Sequence, residues 1–228
     1  MKSVNASSAF DEYKKLMKLR PEEFNQDSSL NIVTDEKTIE NFCKEHNREV
    51  GVVYKSAYNM IVVDLVENMH ERKFFYERLL PSVKGEAVVA IVKFKDKFII
   101  LDQFRHAARK SLFCFPRGYG EEGISAEDNV RKELIEELGI KNEDIAKTTI
   151  IGKTVANSGI AGEEISIALC EITNYNFKKS EEIEGIFALT ESELDTFIAN
   201  GLFYDGISTS AWAVYKAVKN KVNGTRHD

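Results

Sequence analysis

Long apolar runs are missing from this chain of 228 residues: no stretch approaches the roughly 20 residues that span a bilayer. The opening MKSVNASSAF also lacks the apolar core of a signal peptide, so the expectation is a soluble cytoplasmic protein without a membrane partner. Cysteine is scarce. Cys43, Cys114 and Cys170 form an odd, scattered set without C-x-x-C spacing, which argues against a disulfide framework or a zinc site and for reduced, packing thiols. Positive charge is in deficit as well: 31 Lys and Arg against 37 Asp and Glu give a net charge of −6, which argues against a broad nucleic-acid or anionic-membrane surface while leaving room for a local basic pocket. There is no repeat, no low-complexity tract and no long Pro/Gly/Ser linker, and with 43% hydrophobic residues the chain can bury a substantial core.

Three sections can be read along the chain. In residues 1–83, Phe10, Tyr13, Leu16 and Met17 recur at helical spacing, and a second helix is expected from Lys37 to His46. Val52 to Leu80 then reads as strands broken by a turn at Asn68 to Glu71. Residues 84–220 begin with AVVAIVKF (Ala87 to Phe94), a continuous apolar run suited to a buried strand. Further strands are expected at Phe98 to Leu101, Thr148 to Ala156 and Glu164 to Ile172, and helices at Ser125 to Leu138, Ser192 to Asn200 and Ser208 to Lys219. Strands flanked by such helices predict an α/β sandwich with a mixed sheet, preceded by an N-terminal α+β extension. Residues 221–228 read as a polar tail.

The most informative segment is Gly118 to Ile140, GYGEEGISAEDNVRKELIEELGI. Ser125 followed by Asp128 marks a helix start and Gly139 a helix stop, while Val130, Leu134 and Leu138 form an apolar stripe. Glu133, Glu136 and Glu137 then fall within roughly 100° of one helix face, bordering that stripe. Carboxylates so close together repel, and two readings stay open: a solvated acidic face, or a site for a hard cation.

These residues resemble the Nudix box, G, five residues, E, seven residues, R-E-U-x-E-E-x-G-U. Gly118, Glu133, Leu134, Glu136, Glu137, Gly139 and Ile140 match in register, whereas Ile124 stands for the first box glutamate and Lys132 for the box arginine. Ile99 to His106 and Leu112 to Gly118 are similar to the strand, Q-[FY]-R and E-L-P-x-G lead-in of the branch that hydrolyses ADP-ribose and ADP-sugars. Asn157 to Glu164 resembles that branch's S-P-G-x-x-x-E loop, with Ser158 in place of its proline.

The resemblance implies a Nudix-like α/β/α sandwich and metal-dependent hydrolysis of a pyrophosphate bond, with Mg²⁺, or Mn²⁺ in its place, as cofactor. Its implied metal ligands are Glu133, Glu136, Glu137 and the carbonyl of Arg117. Glu163, on a Gly-flanked loop, is either the general base or a loop acid, and Glu136 is a second catalytic carboxylate. Arg105 either pairs with a glutamate or forks onto a substrate phosphate. Arg117 and Phe104 are further candidates for binding substrate, and His106 reads as a surface residue. A small-molecule nucleotide is the expected partner: ADP-ribose or an ADP-sugar, or alternatively a nucleoside triphosphate or dinucleotide polyphosphate. A non-catalytic nucleotide sensor is the remaining alternative, motivated by Ile124 and Lys132. The N-terminal section resembles the extension by which such enzymes pair two subunits. With Tyr58, Met60, Ile61, Phe74 and Phe75 expected at an exposed edge, it predicts a homodimer.

Overall fold

The computed structural model describes residues 6–174, 176–178 and 180–224. They form two compact units, one of residues 1–83 and 157–162, the other of residues 84–156 and 163–228.

The first unit contains α1 (Ala6–Leu19), β1 (Leu30–Ile32), α2 (Glu36–His46), β2 (Gly51–Lys55), β3 (Asn59–Asn68) and β4 (Lys73–Pro81). The four strands pair antiparallel in the spatial order β1, β3, β4, with β2 also on β3. α1 buries Ala9, Tyr13 and Leu16, the stripe expected from spacing. α2 starts where Asp35 accepts the Thr38 N–H at 2.8 Å and stops at Asn47 in the left-handed region. A charged group lies deep in this unit: Asp64 accepts the Tyr13 hydroxyl at 2.5 Å and Arg78 Nε at 2.6 Å. Because each partner is hydrogen-bonded, the buried charge is compensated.

One expectation for this unit is corrected. Met60 is 2% exposed and belongs to the core with Val62 and Leu80, because its strand alternation points it inward, and Phe74 and Phe75 are half-buried. Tyr54, Tyr58, Ile61 and Met69 are the exposed large apolar residues of the strand-rich stretch.

The second unit contains β5 (Ala87–Phe94), β6 (Lys97–Arg105), β7 (Lys110–Cys114), β8 (Arg117–Gly118), α3 (Ala126–Leu138), β9 (Ile145–Asn157), β10 (Ala161–Ile172), β11 (Ile183–Thr190), α4 (Glu191–Ala199) and α5 (Gly206–Gly224). β9 pairs with β10, β10 runs parallel to β5, and β5 to β6 and β6 to β11 are antiparallel, so the sheet is mixed. Alternation along the strands divides the core in two. Val88, Ala90, Val92, Ile99 and Leu101 pack with Val130, Leu134 and Leu138 of α3. Ala87, Val89, Ile91, Phe98 and Ile100 pack on the other face with Leu194 of α4 and Ala211, Trp212 and Tyr215 of α5. The result is an α/β/α sandwich, as the sequence predicts.

Two boundaries differ from expectation. α5 continues to Gly224, so the polar tail begins later than residue 221, and residues 225–228 lie outside the described residues. Glu163 is not on a loop. Only a tight turn at residues 158–160 separates β9 from β10, and Glu163 is already a strand residue.

Candidate active site

α3 is locked in register at both ends. The Ser125 hydroxyl accepts the Asp128 N–H at 3.2 Å, and Gly139 at φ 62° turns the chain out of the helix in the left-handed region that glycine adopts without strain. With Val130, Leu134 and Leu138 fully buried, the rotation of the helix is fixed and Glu133 and Glu137 are turned towards β8. β8 lies antiparallel to β5, with Val88 opposite Gly118 and Val89 opposite Arg117. A Cβ at Gly118 would overlap the Glu133 carboxylate, so the glycine leaves the space that this side chain fills.

Glu133 and Glu137 share a partly dehydrated space. Burial, and then the Glu136 charge, push the Glu133 carboxyl up to about 7 despite Lys132. Glu137 is also pushed up to about 7, by burial and then by Glu133, against the opposing pull of Arg105 and of a main-chain hydrogen bond from Arg117. Oε2 of Glu137 is buried and has no hydrogen-bond partner among the described residues. Two crowded carboxylates with an orphaned oxygen are a donor set short of positive charge. They fit a hard divalent cation, which takes a few carboxylates and completes its shell with water and phosphate oxygens. Glu136 stays at the exposed flank, 3.8 Å from Lys132, and among the described residues no group of three His, Cys, Asp or Glu side chains surrounds a common point.

Lys132 is bonded to Glu121, on the loop that precedes α3. The carboxylate that meets Lys132 thus comes from the Glu121-Glu122-Gly123 stretch, three residues before Ile124.

Arg105 lies at the end of β6, on the α3 face, where its Nη2 donates to the Cys114 thiol at 3.1 Å. Burial holds that thiol above its usual range, so the acceptor is neutral, and Arg105 Nε is buried without a partner. The guanidinium is therefore short of acceptors. Phe104, its neighbour in the strand, points to the opposite face by alternation and packs under the Arg109 guanidinium, 5.5 Å from the ring centroid. The structure does not bring it to the carboxylates. Arg117 sends its guanidinium to Asp205, with Nη1 3.5 Å from Oδ2, while its main chain serves Glu137. His106 meets Arg109 at 2.9 Å in the exposed turn between β6 and β7. Glu163 shares the strand face of Ile165 and Ile167, which pack towards α5. Burial raises its carboxyl, with no charged group contributing. Glu164 is exposed and paired with Lys153 at 2.6 Å.

Asp205 and Cys114 escaped the sequence reading as site neighbours. Asp205 followed by Ser208 is legible as a helix cap, but its ion pair spans 88 residues and leaves no local signal.

No protein-family profile and no curated protein matches the sequence of this chain. Solved structures do match its fold. One, a crystal structure described as an ADP compounds hydrolase, aligns with a TM-score of 0.61 over 78% of this chain and 93% of its own length, at 16% identity. The fold is Nudix-like. No described helix is long and apolar enough to cross a membrane.

Proposed function

We propose that this chain hydrolyses the pyrophosphate bond of an ADP-linked compound, ADP-ribose or an ADP-sugar, releasing AMP and a sugar phosphate with Mg²⁺ or Mn²⁺ as cofactor. The observation that carries this reading is the partly buried Glu133–Glu137 pair, with an unpartnered Glu137 oxygen, near an arginine whose Nε has no acceptor among the described residues. A bound divalent cation would neutralise phosphate oxygens and acidify a water molecule. Glu133 and Glu137 would hold the cation. Arg105 turns its free N–H groups to a phosphate oxygen, the planar geometry for which guanidinium is suited. Glu136, exposed on the same helix, is the carboxylate to which we assign the proton of the attacking water. The 16% identical hydrolase supports the reading through shared fold only.

A panel assay with Mg²⁺ and Mn²⁺ on ADP-ribose, ADP-glucose, NADH, diadenosine polyphosphates and nucleoside triphosphates tests this. AMP plus ribose 5-phosphate from ADP-ribose is the expected result. Nucleotide binding without turnover on every compound would replace it with the sensor reading.

A further inference from the structure

We propose that Asp205 and Ser208, at the start of α5, are positioning residues of the carboxylate site: they pin residues 115–117 from the opposite face of the sheet and so set where Glu137 stands. The inference rests on the hydrolase reading above and adds to it two residues that touch neither cation nor substrate.

Ser208 is fully buried, and its hydroxyl accepts the Phe115 N–H at 3.0 Å. The same hydroxyl donates to Asp205 Oδ1 at 2.7 Å, and that oxygen also accepts the Ser208 N–H at 3.0 Å. Asp205 Oδ2 then reaches Arg117 Nη1 at 3.5 Å. Two anchors from one helix end thus grip a three-residue stretch. On its other side that stretch meets the site: Arg117 bonds Glu137 through the main chain, and Gly118 makes room for Glu133.

Chemistry argues that the Asp205 charge has a purpose beyond capping. A helix start needs only an acceptor, and Asn or Ser supplies one as well as Asp. Placing a carboxylate where the residue is only 7% exposed costs free energy unless a cation answers it, and Arg117 is that cation. Arg117, in turn, has its guanidinium on the α5 side and its N–H on the α3 side. Loss of the ion pair leaves Ser208 as the one remaining anchor of this stretch on α5, beside its pairing with β5, and loosens the Arg117 peptide against Glu137. Groups that orient ligands in this way typically influence metal affinity by about 10–100-fold.

The test is Mn²⁺ binding to the full chain, read from the electron paramagnetic resonance of free Mn²⁺, together with kcat and KM for ADP-ribose. Asp205→Asn keeps the cap acceptor and removes the charge, while Arg117→Met keeps the main-chain N–H and removes the pair from the other side. Each is expected to weaken Mn²⁺ binding about tenfold or more and to lower kcat more than it changes KM. The double variant is expected to be no worse than the poorer single one, since both break the same link. Asp195→Asn, which disturbs the Trp212 and Lys216 contacts of the same helix, should bind Mn²⁺ as the unaltered chain does. Should Asp205→Asn fail to fold, Arg117→Met decides. Unaltered Mn²⁺ affinity and kcat in a folded Asp205→Asn or Arg117→Met chain would overturn this inference alone, as would an equal loss in Asp195→Asn. An unaltered chain that binds no Mn²⁺ would overturn the hydrolase reading and this inference with it.

Discussion

The Glu133 carboxylate occupies the space that any side chain at Gly118 would need. Glycine is therefore required here for volume, at the point where β8 and α3 approach. Gly118→Ala is expected to push Glu133 off its position and lower kcat by about 10²-fold, the penalty of misplacing a reacting group by about an ångström. Steady-state kinetics on ADP-ribose, with circular dichroism to confirm an unchanged fold, check this.

Glu137→Gln removes the charge proposed to hold the cation, a charge that the metal-free fold does not need. Turnover is expected to fall by orders of magnitude at saturating Mg²⁺. In EDTA, by contrast, the variant should unfold at a higher temperature than the unaltered chain, because a neutral amide is cheaper to bury next to Glu133 than a carboxylate. A parallel melting series with and without Mg²⁺ measures both halves. Near-normal turnover in the variant would sink the assignment of Glu137.

Glu121, three residues before Ile124, supplies the carboxylate that meets Lys132. Glu121→Gln is expected to reduce kcat by less than tenfold, since the pair with Lys132 is half-exposed and such pairs are worth about 1 kcal/mol or less. Adding Ile124→Glu to this variant returns a carboxylate to the box position and is expected to restore the loss. No recovery in the double variant would show that Lys132 answers to Glu121 alone.

Assembly into a homodimer is proposed through the exposed apolar strip of the first unit, in which Tyr54 and Ile61 are paired across β2 and β3. Ile61→Asp, on this half-exposed face, is expected to convert a mass near twice 25.9 kDa into that of a single chain. Light scattering coupled to size exclusion reads this directly. A concentration-independent mass of one chain for the unaltered protein removes the dimer.

Acid should loosen the α4–α5 contact. Burial works against ionisation of Glu191 and Asp195. In Glu191, bonds from Lys216 and Lys219 outweigh it; in Asp195, bonds from Lys216 and Trp212 do so. Both carboxyls titrate below their ordinary values. A lowered folded pKa stabilises the fold above the unfolded value and loses that contribution as pH falls through the folded one. Lys216→Met should therefore lower the unfolding temperature at neutral pH, and the gap to the unaltered chain should narrow below about pH 4. An equal gap at pH 3 and pH 7 would contradict the linkage.

What the sequence announces well is what depends on neighbours within a turn or a strand. Ser125, Gly139 and the stripe Val130, Leu134 and Leu138 locate α3 because caps and period act over a few residues. AVVAIVKF announces β5 because burial on both faces demands a continuous apolar run. Lys132 and Arg117 mark the limit: their partners, Glu121 and Asp205, are chosen by packing across 11 and 88 residues, and no local pattern encodes either choice. Glu163 marks another. Its glycine-rich surroundings suggested a loop, yet backbone hydrogen bonding carries the strand through Gly162.

The end of α3 carries a kinetic consequence. Helices ordinarily fray in their last turn, where carbonyls lack partners. Here Lys178 N–H bonds Leu138 O at 2.9 Å and Ser180 N–H bonds Glu137 O at 3.1 Å, while Gly139 N–H closes on Ile135 O at 3.0 Å. The turn that bears Glu137 is fastened by a separate crossing segment. It can open only when that segment lifts, so the amides of Lys178 and Ser180 should exchange their hydrogens in step with those of the last helical turn. The carboxylate end of the helix is thus expected to open together with that segment, and hydrogen exchange of the two sets of amides checks this.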